Sequence, residues 1–240
     1  SGRFPLEGRS RLLRAISRLI CRWADLSIVT NASLAGVVQE RGGKACVVTD
    51  PLNELEFSPS KSVSLAKPAY VLFVCSWADD EPWEAVLEAH RLVQQPVELW
   101  VTGNYKKRLS EKAAARLPEQ VRLMGFVGRE DYIRSLQEAR LMIDLTTRDH
   151  CLVCGAYEAV AAEVPMLLTD TAVNREVFSR GAVYTANEPK AIAHAIDRAL
   201  ADYVELEQAI QAFKFDYRQR SQHQIEALKM QLQFQAEGVD

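Results

Sequence analysis

The sequence lacks three features that would place it in a specialised class of protein. It has no excess of positive charge, since 29 basic residues stand against 32 acidic ones and the formal net charge is −3. A global positive field that holds nucleic acid by its phosphates is therefore excluded. It also has no apolar run near the ~20 residues that cross a bilayer, and its N-terminus does not read as a signal peptide. We expect no nucleic-acid partner and no membrane-spanning segment.

Cysteine and glycine patterns are equally sparse. The five cysteines are odd in number and irregularly spaced, so they predict no disulfide framework and suit a reducing, cytoplasmic compartment. No G-x-G-x-x-G lies between a first strand and its helix, which argues against a dinucleotide-dependent oxidoreductase. The composition, with 48% apolar and 25% charged residues, is instead that of an ordinary globular protein.

Short aliphatic runs alternate with segments of helical periodicity along most of the chain. The runs predict eight strands, at 27–30, 45–49, 70–75, 97–102, 121–125, 141–145, 166–169 and 182–184. The periodic segments predict helices at 82–93, 105–116, 131–139, 155–162 and 189–200. Continuous apolar strands that alternate with helices predict an α/β fold, a Rossmann-like parallel sheet with helices on both faces.

Three segments fall outside this rhythm. Residues 50–67 are rich in Pro, Ser and Asn and read as a linker. Residues 203–236 read as a long helix that is polar on most sides and packs by one narrow stripe. The first 23 residues contain six arginines and apolar residues at helical spacing. Such a basic amphipathic helix either lies on an anionic membrane surface or packs its apolar stripe on its own domain.

The junction from Leu145 to Pro165 has the richest chemistry, because a polar loop leads there into a predicted helix. Backbone N–H groups at a helix start bind phosphates, and Glu158, one turn into the helix, could take sugar or ribose hydroxyls. Cys151 and Cys154 form a CxxC at the same start. With His150 they leave open a redox or zinc site, in which the helix start would lower a thiol pKa.

Five segments of the chain resemble the donor-binding domain of the two-Rossmann (GT-B) glycosyltransferases, especially family 4. In that family a Glu begins the pattern Glu-Ala-x-Ala-x-Gly-x-Pro, which Glu158, Ala159, Ala161 and Pro165 match. The other segments keep the family's order: Tyr70–Cys75 as the opening strand, Leu99–Asn104 as a strand and Gly loop, Val121–Val127 as the base-flanking turn, and Arg140–Asp144 before the motif.

The sequence departs from the family at charged positions. His150 stands eight residues before Glu158, where the family has the Glu that meets the transferred sugar. Ser76 and Glu81 stand where an Arg and a Lys hold the diphosphate, and Glu163 replaces the Gly before the final Pro. The cationic clamp is thus missing from its expected positions.

The loop from Cys75 to Pro82 resembles a Ser-Trp-x-x-Asp-Glu stretch of mannosyltransferases that act on chitobiosyl-diphospho-dolichol, where the loop lies under the nucleotide sugar. The resemblance implies a metal-independent hexosyltransferase without a cofactor, which takes a nucleotide-diphosphate sugar and a glycan or lipid-linked acceptor. The catalytic candidates are His150 and Glu158. The donor-binding candidates are Ser76, Trp77, Gly103, Asn104, Phe126, Val127, Thr147, Arg148, Val153, Cys154 and Gly155.

Interpretations without a catalytic or binding role stay open for these candidates. His150 could be a solvated loop histidine, Glu158 an ordinary first-turn glutamate, and Trp77 a core residue rather than a stacking platform. The missing clamp and first Glu also permit a degenerate nucleotide-sugar-binding module, or one subunit of a two-chain enzyme.

Chain length bears on the domain organisation that the resemblance implies. A βα unit takes about 30 residues, so 240 residues hold about eight units, whereas two complete Rossmann halves need about eleven or twelve. We expect a remnant of the acceptor half and linker at 1–60, the nucleotide-sugar-binding domain at 61–203, and a helical tail at 204–240 that crosses back to the N-terminal part. The rest of the acceptor half would be a missing N-terminal segment or a partner chain, and peripheral contact with the inner membrane face is one option for location.

Overall fold

The computed structural model describes residues 11–53, 57 and 69–237, with only the backbone described at 11, 12 and 234–237. The first ten residues and most of the predicted linker lie outside this description. The chain divides into two compact units. One comprises Ser1–Pro51 with Phe215–Asp240, and the other comprises Leu52–Lys214. The domain limits expected from the sequence stay a prediction.

The smaller unit contains a short parallel sheet and three helical segments. Its elements in chain order are α1 (Arg11–Trp23), β1 (Ser27–Val29), α2 (Ala32–Glu40) and β2 (Ala45–Val47). Asn31 begins α2, since its side-chain oxygen accepts the Leu34 N–H at 2.9 Å. The end of the C-terminal helix belongs to the same unit, where the Tyr217 hydroxyl donates to the Asp50 carbonyl at 2.7 Å.

The larger unit is built on six strands. Its elements are β3 (Tyr70–Phe73), α3 (Trp83–His90), β4 (Glu98–Thr102), a 3₁₀ turn (Tyr105–Lys107), α4 (Glu111–Ala114), β5 (Val121–Gly125), α5 (Arg129–Glu138), β6 (Leu141–Asp144), α6 (Cys154–Ala162), β7 (Met166–Thr169), α7 (Ala172–Val177), β8 (Ala182–Thr185) and α8 (Pro189–Ala201). A final helix, α9 (Tyr203–Glu237), supplies residues to both units.

The six strands form one parallel sheet in the order β5-β4-β3-β6-β7-β8. Val71 in the central β3 lies opposite Leu99 of β4 and Leu141 of β6. The chain moves from β3 toward one edge and later from β6 toward the other, which is the doubly wound order of Rossmann folds. Right-handed connections therefore place α3 on one face and α6 on the other.

Helices cover the sheet as the sequence predicts. α3 packs against α8, whereas α5 packs against α6. Every residue of β3, β6 and β7 is buried, as expected for strands that are covered on both faces. The α/β fold class and all eight predicted strands are thus confirmed.

Two details of the helices differ from the prediction. The single helix expected at 105–116 is wrong, because Ser110 has an extended backbone and its hydroxyl accepts the Ala113 N–H, which starts the separate helix α4. Helices α2 and α7 were not predicted. No helix within the described ranges has the length and apolar character needed to cross a bilayer.

Candidate functional site

The loops that follow β3 and β6 meet at the carboxyl edge of the sheet, where the strand order reverses. The Thr147 N–H donates to the Asp80 carbonyl at 2.7 Å, and the Thr146 hydroxyl donates to the Asp80 carboxylate at 3.2 Å. Arg148 lies 3.0 Å from the same carboxylate. In doubly wound sheets this reversal point is where ligands bind.

Glu81 organises the loop after β3. Its carboxylate accepts the backbone N–H groups of Ser76 at 3.0 Å and Ala78 at 2.8 Å, and also the Ser76 hydroxyl at 3.1 Å. The carboxylate therefore turns into its own loop and replaces water as the partner of these donors. Burial, followed by the charge of Glu81, raises the pKa of the neighbouring Cys75 thiol, so this thiol stays protonated.

Trp77 is a core residue. The residue is 1% exposed, its Nε1–H donates to the Thr102 carbonyl at 2.9 Å, and its ring packs against Trp83 with ring centroids 5.2 Å apart. The backbone at Trp77 has a φ of 64°, a conformation that turns the side chain inward at some cost. The prediction that Trp77 contacts the donor is not supported by this placement, because the ring has no surface left for stacking.

Gly103 lets the loop after β4 approach the loop after β3. Its φ is +82°, and a Cβ atom there would lie 2.0 Å from the Cys75 carbonyl oxygen. Asn104 follows, exposed, and its side-chain oxygen accepts the Lys106 N–H at 3.3 Å to start the 3₁₀ turn. These two predicted residues are thus at the same sheet edge as Ser76.

The start of α6 has a buried carboxylate beneath it. The Gly155 N–H donates to Asp144 at 3.0 Å, and a Cβ atom at Gly155 would lie 2.5 Å from that carboxylate oxygen. Burial raises the pKa of Asp144 well above its ordinary value, and the Gly155 N–H lowers it in part. The prediction that the Gly155 N–H is available to a phosphate is corrected, because Asp144 already accepts it. Val153 is buried and Cys154 is exposed.

Glu158 is held by two side chains of α5. Arg129 lies 2.8 Å from one carboxylate oxygen, and the Tyr132 hydroxyl donates to the other. Burial, followed by the charge of Glu158, raises the pKa of Tyr132, so the hydroxyl keeps its proton for this bond. The Glu158 side chain is 23% exposed.

The remaining predicted residues lie around this edge. Thr147, Arg148 and His150 are exposed in the loop before α6. Phe126, directly after β5, is 92% exposed, and Val127 beside it is half-buried. A large apolar ring in this position is a surface on which a flat ligand can stack.

The two cysteines of the CxxC differ in their surroundings, since Cys151 is half-buried and Cys154 is exposed. None of the five cysteines forms a disulfide, and burial raises the pKa of Cys151. The possibility that the helix start lowers this pKa is therefore wrong for Cys151. Within the described part of the chain, no three His, Cys, Asp or Glu side chains are arranged to hold a metal ion.

Comparison with known families decides the classification. The sequence profile of the family described as glycosyl transferases group 1 matches residues 56–214. The chain belongs to this family. The match spans most of the larger unit and includes every predicted site residue. No curated protein shows significant similarity to the sequence.

Solved glycosyltransferase structures share the fold of this group 1 chain. A glycosyltransferase from Rickettsia africae is 12% identical, with a TM-score of 0.76 over 100% of this chain and 70% of its own. HepE from Anabaena, solved with UDP-glucose, is 18% identical, with a TM-score of 0.74 over 93% and 69%. Sucrose-phosphate synthase from Thermosynechococcus elongatus is 17% identical, with a TM-score of 0.74 over 98% and 64%. The chain thus spans about two thirds of these structures.

Several residues at this edge of the group 1 chain were not predicted. Asp144, Arg129 and Tyr132 act on the predicted residues Gly155 and Glu158. Lys107 and Arg108 reach the loop after β3 from the turn after β4. The run Lys-Lys-Arg, which begins three residues after Gly103, was the available signal for the last two. The others depend on tertiary contacts.

Proposed function

We propose that this chain is the donor-binding half of a glycosyltransferase that moves a hexose from a nucleotide-diphosphate sugar to a glycan or lipid-linked acceptor. The observation that carries the proposal is the position of Glu158. It lies one turn into α6, at the point where the strand order reverses, within the span matched by the group 1 family. A diphosphate bound at this edge would meet the start of α6 and the loops after β3 and β4.

The proposed mechanism uses the residues around the reversal point. The bond between the anomeric carbon and the diphosphate oxygen breaks with its electron pair on the diphosphate. A bond forms to the acceptor oxygen, whose proton passes to the leaving group or to solvent. Stabilisation of the departing charge provides much of the rate. We assign it to the positive end of the α6 dipole, with His150 and Arg148 near the phosphates or the sugar. Glu158 orients the ribose, and no metal or cofactor is assigned.

A degenerate nucleotide-sugar-binding module, or one subunit of a two-chain enzyme, is the second candidate. The charges at the site favour it. Arg148 is paired with Asp80, and Glu158 is already bonded to Arg129 and Tyr132. Substrate would have to replace or share these contacts. Such a module binds donor without transferring sugar.

Titration calorimetry with UDP-, GDP- and ADP-glucose tests the proposed binding. We expect one of them to bind at a single site per chain, and His150→Ala and Glu158→Ala each to weaken that binding. His194→Ala and Glu205→Ala, at exposed positions of α8 and α9, are the matched controls and should bind like the wild type. Failure of all three nucleotide sugars to bind would remove the donor-site proposal. Binding without turnover on glycan or lipid-linked acceptors would favour the second candidate.

The location of the enzyme is a further part of the proposal. In α1 one helix face carries Leu13, Ile16, Ile20 and Trp23, which are 36%, 42%, 63% and 81% exposed, and the opposite face carries arginines. Helices of this composition lie at anionic membrane surfaces. We propose peripheral contact of α1 with the cytoplasmic membrane face; further polypeptide that packs on the same stripe is the competing occupant.

Sedimentation with lipid vesicles separates these two occupants. Contact with a membrane predicts binding to vesicles that contain phosphatidylglycerol, weaker binding to vesicles of phosphatidylcholine alone, and a loss of binding in Ile20→Asp. Equal sedimentation with both lipids, or none, contradicts membrane contact.

A further inference from the structure

Acidic side chains dominate the loop after β3, and the cations around it come from other elements. The loop contains Asp79, Asp80 and Glu81 in sequence. Arg108, after the 3₁₀ turn, pairs with Asp79 and donates to the Trp77 carbonyl at 3.1 Å. Arg148, from the loop after β6, pairs with Asp80 at 3.0 Å. Each of these arginines therefore already neutralises a carboxylate of the loop.

Lys107 is placed differently from the other cations at this edge. Its ammonium group donates to the carbonyl oxygen of Ser76 at 3.2 Å, which is an uncharged partner. Among the described residues, no carboxylate lies within ion-pair distance of Lys107, whereas Lys106 beside it pairs with Glu111 at 3.3 Å. The positive charge of Lys107 is thus uncompensated by an acid at the point where the strand order reverses.

The turn after β4 brings Lys107 to the loop after β3, in which Ser76 and Glu81 replace the Arg and Lys of the family. Gly103 allows close contact between the loops after β3 and β4, because it has no Cβ atom. A Cβ at this position would lie 2.0 Å from the Cys75 carbonyl oxygen. The 3₁₀ turn that follows then directs Lys107 back over Ser76. A lysine ammonium on its flexible stem can exchange a carbonyl for a phosphate oxygen at small cost, because the charged partner makes the stronger hydrogen bond.

We propose that Lys107 supplies the positive charge that holds the diphosphate of the donor. The charge then enters from the turn after β4 rather than from the loop after β3, and Arg108 acts as a positioning residue that keeps the acidic loop in place. This inference rests on the proposed function, because it requires a nucleoside diphosphate at the same edge. It assigns the contact to the diphosphate alone and not to the base or the sugar.

The test compares nucleoside diphosphates with monophosphates by titration calorimetry. UDP, GDP and ADP are titrated into the wild-type chain, and the one that binds is compared with its monophosphate in Lys107→Gln, Lys107→Arg and Lys106→Gln. Lys106→Gln is the matched control, since it removes the same charge one residue away. We expect Lys107→Gln to weaken diphosphate binding about tenfold, the size of one lost charge-assisted contact. Monophosphate binding should change by less, and Lys107→Arg should restore most of the affinity.

The outcomes separate this inference from the function on which it rests. If the wild type binds none of the three diphosphates, the proposed function fails and the inference with it. If the wild type binds a diphosphate and Lys107→Gln binds it as tightly as Lys106→Gln does, the function stands and the inference is overturned. An equal loss for monophosphate and diphosphate in Lys107→Gln also overturns it, because the lysine would then not sense the diphosphate.

Discussion

Gly103 is the residue at which the backbone of the site depends most on a single side chain being absent. Its φ is +82°, and a Cβ atom there would lie 2.0 Å from a carbonyl oxygen. Gly103→Ala therefore places a Cβ atom on a left-handed backbone and makes it clash with the chain. We expect a loss in the free energy of unfolding that exceeds the about 1–3 kcal/mol of a strained backbone alone. Urea denaturation followed by circular dichroism measures it.

Gly36→Ala is the control for that substitution. Gly36 lies inside α2, and a Cβ atom there has no neighbour within 4 Å. Alanine should leave stability unchanged or raise it by up to about 1 kcal/mol, because it favours the helix. Equal behaviour of the two variants would show that the close contact at Gly103 is not present in solution.

For individual residues, the sequence predicted which of them lie at this sheet edge better than it predicted what they contact. Gly103, Thr147 and Glu158 do come to one sheet edge. Trp77 does not face that edge, because its side-chain direction follows from a positive φ that no periodic pattern reveals. The partner of Gly155 was missed for a similar reason, since Asp144 precedes it by 11 residues and meets it only through the fold.

Helix α9 packs through a narrow stripe of buried residues along one side. Ile210, Phe213, Tyr217 and Ser221 are buried at helical spacing, whereas Phe215 is 59% exposed. Phe213→Ala should lower the free energy of unfolding by about 3–5 kcal/mol, the usual cost of a large cavity. Phe215→Ala removes the same ring from the surface and should stay within about 0.5 kcal/mol of the wild type. Thermal melts of both variants check this, and similar losses would contradict the stripe.

The buried carboxyl of Asp144, beneath the start of α6, makes the stability of the fold depend on pH. Burial raises the pKa of this carboxyl above its unfolded value, so the folded chain binds more protons. The contribution of Asp144 to stability is therefore present at low pH and is lost as pH rises toward the folded pKa. Asp144→Asn cannot titrate and keeps an oxygen that accepts the Gly155 N–H. The stability of this variant relative to the wild type should rise as the pH increases above the unfolded pKa of an aspartate, measured by urea denaturation.

Asp170 provides the control of opposite sign. A hydrogen bond from Arg175 lowers the pKa of Asp170, so its contribution is present above the unfolded pKa and is lost as pH falls. Asp170→Asn should therefore gain stability relative to the wild type only at low pH. A relative stability of Asp144→Asn that is flat, or that falls with rising pH, would contradict the burial of its charge.

Periodicity predicted most of the helices but missed α2 and α7. Segments with several apolar turns, such as those of α3, α6 and α8, were found because their buried faces repeat. The region 105–116 also looked periodic, but two local caps, Asn104 and Ser110, divide it. A capping hydrogen bond uses one side chain and leaves the apolar pattern unchanged, so the pattern alone could not show the division.

The order of the strands in the sheet determines where we place the donor site. Parallel strands with covered faces could be read from their apolar runs, but the order of the strands could not be read from any single segment. That order places the loops after β3 and β6 side by side at the carboxyl edge. At the opposite edge the structure has a cavity of about 340 Å³, lined in part by Gln95, Arg140 and Tyr203.

Hydrogen–deuterium exchange, measured with and without the nucleoside diphosphate that binds, locates the donor site. We expect slower exchange in the loops after β3, β4 and β6, and no change around the cavity at the opposite edge. Protection confined to the residues of that cavity, or to the smaller unit, would contradict a donor site at the point where the strand order reverses.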